Sequence, residues 1–147
     1  MSVKEEIAKK VSQLSRENLT LRNQLEKVES SQDKRIDEIF CEFLTVIDTF
    51  ERAEQTIKER ALDKDETTKK AVNRLLNAKK KALFVLEKFD IKRIGFENNK
   101  SIQELCVVSD TEPDPDRETG DIVSIEKQGY TRQGHLIRPA EVIIVKN

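Results

Sequence analysis

The sequence predicts an α+β protein. Its parts are a long amino-terminal helix forming a parallel coiled-coil dimer, a helical hairpin giving a four-helix bundle in the dimer, and a small, mostly antiparallel β-domain at the carboxyl end. Three observations predict this. Apolar residues recur with a 3.5-residue period from Ile7 to Val28. A wider apolar face at helical spacing follows, uninterrupted by Gly or Pro. After Phe89 the pattern changes to short β-branched runs bounded by turn residues. Composition agrees: of 147 residues, 36% are hydrophobic and 37% charged. That is too little apolar material for one large core and suits helices that each bury a narrow stripe.

Ile7, Val11, Leu14, Asn18, Leu21, Leu25 and Val28 alternate spacings of four and three. With Ile7 at heptad position d, Val11, Asn18 and Leu25 fall at a, and Leu14, Leu21 and Val28 at d. β-Branched or polar residues at a with Leu at d favour two parallel strands. In that arrangement Asn18 meets its own counterpart, and Glu17 at g faces Arg22 at e. Val11, Leu14, Asn18, Leu21 and Leu25 are therefore candidate dimerisation residues.

Gln32 and Arg35 occupy the next seam positions, and the phase shifts by one residue. Ile36, Ile39, Phe40, Phe43, Ile47, Phe50 and Ile57 then carry a broader stripe, joined by Leu44 and Val46. A broad stripe buries against more than one neighbour. One helix from about residue 3 to 60 is expected, with Phe40, Phe43, Ile47 and Phe50 holding the dimer bundle. A polar link at 62–67 precedes a second helix, about 67–88, with Val72, Leu75, Leu76, Ala82, Leu83, Leu86 and Phe89 on its apolar face. So short a link makes the two helices antiparallel neighbours.

Residues 1–89 are thus read as the dimerising helical region and 90–147 as the β-domain. Strand-like runs lie at Leu105–Val108, Ile122–Ile125, Leu136–Ile137 and Val142–Val145, with turn or bulge signals at Gly120, Gly129 and Gln133-Gly134. Pro139 is expected at an edge or bulge, because Pro donates nothing to a ladder.

Reaction chemistry is hard to find in these residues. The one histidine, His135, has no Cys or carboxylate cluster at metal spacing beside it. Cys41 and Cys106 read as small buried hydrophobes. The four glycines are scattered, so no phosphate loop is formed. No catalytic residue, metal or cofactor is expected, nor is a membrane-spanning segment. The start, MSVKEEIAKK, lacks the apolar run of a secretory signal, which makes a cytoplasmic or organelle-matrix setting the expectation, the cytoplasm first. Residues 61–94 hold ten basic and five acidic residues, and Lys69 to Lys81 contains no acid. A nucleic-acid-associated dimer and a coiled-coil adaptor presenting a β-module both remain open on these grounds.

Three segments carry a resemblance. Leu44-Thr45-Val46-Ile47-Asp48-Thr49-Phe50-Glu51-Arg52-Ala53 resembles a helical stretch of the GrpE family. Phe89-Asp90-Ile91-Lys92-Arg93-Ile94-Gly95 is similar to that family's passage from helix to β-domain. Gly129 to Val142, running Gly-Tyr-Thr-Arg-Gln-Gly-His-Leu-Ile-Arg-Pro-Ala-Glu-Val, resembles its closing signature. The sequence departs from the family at Thr45, often Pro there, across Asn98–Glu104, and at His135, where an Arg is usual. The resemblance implies a homodimeric co-chaperone of the stress response. Such a protein binds the ATPase domain of a DnaK-type chaperone and promotes ADP release. It makes Val46, His135, Arg138 and Ile144 candidates for contact with the chaperone.

Overall fold

The computed structural model describes residues 2–147. Helix α1 runs Val3–Arg60 and α2 runs Glu66–Lys88. Six strands follow: β1 Ile91–Arg93, β2 Cys106–Glu112, β3 Ile122–Lys127, β4 Tyr130–Arg132, β5 His135–Arg138 and β6 Ala140–Val145. Packing divides the chain between Ile39 and Phe40. The 89/90 position read from the sequence falls where helix gives way to strand.

The first unit is helix alone. Ile7, Val11, Leu14, Leu21, Leu25 and Val28 are each between 53% and 61% exposed. Local terms support the helix: Ser2 caps the Glu5 amide through its hydroxyl, and Gln13 donates to Glu17 one turn on.

In the second unit α1 and α2 form an antiparallel hairpin. Leu86 packs with Leu44 and Ile47, while Lys79, two turns earlier on α2, reaches Glu51 at 3.1 Å and Glu54 at 2.5 Å. Asp65 starts α2, accepting from the Thr68 amide at 2.7 Å and from its hydroxyl at 2.8 Å. Those bonds hold the Asp65 carboxyl below its usual range.

The strands make two three-stranded sheets, ordered β1-β4-β5 and β2-β6-β3. The first is antiparallel throughout. In the second, β3 is antiparallel to β6 and β2 is parallel to it. Strand β4 was not among the runs expected from the sequence; with Tyr130-Thr131-Arg132 it is too short to show a period. Gln133 and Gly134, both at positive φ, close β4 and β5 into a hairpin of the two-residue type. Pro139 lies between β5 and β6, outside both ladders.

Two cores result. One joins helices to the first sheet through Leu44, Ile47, Leu86, Ile91 and Tyr130. The other gathers Ile122, Ala140 and Val142 in the second sheet. Gly129 is required between them by close approach. A Cβ there would stand 2.5 Å from the Ala140 amide nitrogen and 2.8 Å from Ile94 Cδ1.

Two expectations follow. Gly129→Ala should lower stability by about 1–3 kcal/mol, because backbone must shift. Gly95→Ala, with nothing within 4 Å of the new methyl, should cost nothing and could add up to about 1 kcal/mol through the unfolded chain. Urea melts at one protein concentration check both, and equal effects would contradict the packing argument.

The second concerns pH. The hydrogen bond from Lys79 holds the Glu54 carboxyl below its ordinary value, against the upward pull of burial. Burial pulls Lys79 down, but its bonds to Glu54 and Glu51 outweigh that and raise it. A depressed acid stabilises above its unfolded pKa, about 4.3, and that stability is lost as pH falls through the folded value. A raised lysine stabilises below about 10.4 and loses its contribution as pH rises through the folded value. The pair therefore contributes fully between about pH 5 and 10. Melts at pH 5 and pH 3 should show wild type losing about 0.5–1 kcal/mol more than Lys79→Met. Parallel losses in the two proteins would contradict it.

Candidate protein interaction surface

The sequence-derived residues separate onto two faces of α1. Leu44 and Ile47 are fully buried inside their own chain, and Phe40 packs on the same cluster with its ring 5.6 Å from that of Phe89. Ile47, expected to hold the dimer bundle, therefore spends its side chain on the hairpin and first sheet. Phe43 and Val46 stay exposed and Phe50 half-buried. Val46 and Phe50 line one open apolar groove of about 420 Å³ with Ala53, Ile57, Leu75 and Leu76. Expected separately as a chaperone contact and a dimer contact, those two residues share a surface.

The broad stripe is thus two interleaved ones. Phe40, Leu44 and Ile47 face inward. Val46, Phe50, Ala53 and Ile57, spaced four, three and four, line the groove, and Phe43, three residues before Val46, stays exposed. The second spacing was present in the sequence and could have separated the two faces.

The remaining candidates lie in the β-domain. His135 is exposed at the start of β5, opposite Arg132 across the hairpin. Ile144 is half-buried on central strand β6, packed against the second core. Arg138 is turned into its own chain. Its Nη1 and Nη2 donate to Asp48 Oδ2 and Oδ1, each at 2.8 Å. Its Nε and Nη2 donate to the Gln128 carbonyl at 3.0 and 2.6 Å. The guanidinium carbon stands 5.3 Å from the centroid of the Tyr130 ring. The Arg138 and Asp48 side chains are 12% and 16% exposed.

A second arginine repeats the theme. Arg93 on β1 pairs with Glu51 on α1, donates to the Tyr130 hydroxyl at 3.4 Å, and lies 5.9 Å from the same ring. Cys41 Sγ meets the Ile137 carbonyl at 3.2 Å. Three contacts thus bind α1 to the first sheet around Tyr130, itself 1% exposed. Sequence reasoning singled out neither Asp48 nor Tyr130 for this. Both stood inside motif segments, but the partner of Asp48 lies 90 residues away.

Among the described residues no group of three or more His, Cys, Asp or Glu could hold a metal ion, and no helix is long and apolar enough to cross a membrane. What the arrangement offers is shape: an apolar groove on the hairpin and a β-domain fixed to it.

Arg138→Gln strands the Asp48 carboxylate in a mostly covered place, and a loss of about 2–3 kcal/mol is expected. Adding Asp48→Asn should recover part of it, with a coupling energy of about 1–3 kcal/mol in the double-mutant cycle. Urea melts of the four proteins check this, and a coupling under about 0.5 kcal/mol would contradict a structural pair.

Comparison with known proteins follows the same lines. A sequence profile of the GrpE family matches residues 2–146. Protein GrpE of Hydrogenovibrio crunogenus is 26% identical over 131 residues, covering 88% of this chain and 67% of that protein. Protein GrpE of Blochmanniella floridana is 29% identical over 132 residues, covering 89% and 65%. Protein GrpE of Haemophilus ducreyi is 28% identical over 117 residues, covering 80% and 58%. The chain spans roughly six tenths to two thirds of the length of these curated relatives. With the profile matched from residue 2 to 146, over a long helix, a hairpin and a small mixed β-domain, this chain belongs to the GrpE family.

Proposed function

We propose that the protein is a nucleotide exchange factor, a cytoplasmic co-chaperone that binds the ATPase domain of a DnaK-type chaperone as a homodimer and promotes ADP release. The observation that carries this reading is the family match over residues 2–146. The exposed apolar seam on α1 and the groove at Val46 and Phe50 support the dimer, since each is an apolar face that one copy leaves uncovered. His135, exposed on β5, and Ile144 on β6 are the β-domain residues proposed to meet the chaperone.

The chain makes and breaks no bond in this role. It works by difference in affinity. To speed release it must bind the open, nucleotide-empty chaperone better than the closed, ADP-bound one. By linkage, ADP then weakens the factor's own binding by the same ratio. A thousandfold acceleration corresponds to about 4 kcal/mol off the release barrier.

The test is release of a fluorescent ADP from the DnaK-type chaperone of the same organism, chased with excess unlabelled ADP. Release should accelerate at least tenfold at stoichiometric dimer and saturate with concentration. A rate unchanged at a large excess of the protein would overturn the reading.

A further inference from the structure

We propose that Arg138 and Asp48 are positioning residues: their paired bond stiffens the joint between the β-domain and the helical hairpin, so that the β-domain acts on the chaperone as a rigid lever. This rests on the exchange-factor reading above and names how that activity is generated.

The requirement is physical. A factor that opens a cleft must lose binding energy when the cleft closes. If the β-domain could swing on the hairpin, it would follow the closing chaperone and bind both states nearly equally. Uniform affinity accelerates nothing, however tight it is. A stiff joint turns the misfit of the closed state into the needed difference in affinity.

Beside the shared core and the Arg93–Glu51 and Cys41–Ile137 contacts, the structure places one directional tie at this joint. The chain passes from α2 to β1 through only Phe89 and Asp90, the latter at a φ of 58°. So short a connection would serve as a pivot if nothing else joined the two parts. Arg138 supplies a tie 90 residues away in sequence from Asp48, with both carboxylate oxygens engaged in a fork that fixes direction as well as distance. The same guanidinium holds the Gln128 carbonyl, just ahead of β4. Arg138 also ends β5, and only Pro139 separates it from β6, the central strand of the second sheet. Displacement of that sheet is therefore passed through the rigid Pro139 ring to Arg138 and on to Asp48 of α1. With four donor bonds already made inside the chain, the side chain is poorly placed to grip a partner directly.

The experiment compares the wild-type chain with Asp48→Asn and Arg138→Lys. Each change keeps side-chain size close and removes either the charge or the fork. All are assayed at a temperature where melts show them fully folded. Two quantities are read: the Kd for the nucleotide-free chaperone and the ADP release rate at saturating factor. The proposal expects the Kd to stay within threefold of wild type while the saturating rate falls at least tenfold. A weakened Kd with an unchanged saturating rate would mean that Arg138 contacts the chaperone directly, and would overturn it. Wild-type values for both in folded variants would leave the pair merely structural, and would also overturn it. Amide residual dipolar couplings give a readout that needs no chaperone. Residues 66–88 and the strands should share one alignment tensor in wild type and require two in the variants; a single tensor in all three would contradict the stiff joint. If the wild-type chain fails to accelerate release, the exchange-factor reading itself fails, whatever the couplings show.

Discussion

One copy of this chain cannot bury the apolar seam of its first helix. The six large aliphatic side chains of the seam, Ile7, Val11, Leu14, Leu21, Leu25 and Val28, remain more than half exposed, although the helix that carries them is otherwise charged and capped by Ser2. Covering each should be worth about 1–2 kcal/mol, given that full burial of such a side chain is worth about 1.5–3. Two copies would gain about 12–24 kcal/mol gross, against an association cost of about 4–15. The balance favours pairing, and Asn18 at an a position favours a parallel one, where its amide meets another amide. The exposed groove along Val46, Phe50 and Ile57 poses the same demand within the second unit.

The second unit resolves the opposite problem, which is how a very small β-domain acquires a core. Three- and four-residue strands cannot bury much alone. Tyr130 and Ile91 are therefore buried against Leu44, Ile47 and Leu86 of the hairpin, so the helices are part of the sheet's interior. Polar groups at the rim of that core are paired: Arg138 with Asp48, Arg93 with Glu51. The fold thus makes α1 serve two masters, its inward face building one chain and its outward face left for another.

Much of this was legible in the residues. The 3.5-residue period located the seam, uninterrupted helical spacing set the ends of α1 and α2 within a residue or so, and β-branched runs marked β2, β3 and β6. Gln133-Gly134 announced the β4–β5 turn. What was not legible depended on partners distant in sequence. The inward turn of Ile47 is decided by Leu86 and Tyr130, and the occupation of Arg138 by Asp48. A residue's membership of a stripe says that it is buried, and its neighbours in space say by what. Gly129 was read as shaping a turn, yet its constraint comes from the Ala140 amide and Ile94 across the two cores.

The central claim is that the seam of α1 is completed by a second copy. Sedimentation equilibrium over a wide concentration range tests it most directly. The account predicts a single species of twice the 17.0 kDa chain mass, dissociating only at high dilution. A particle of one chain mass at micromolar concentration would contradict it.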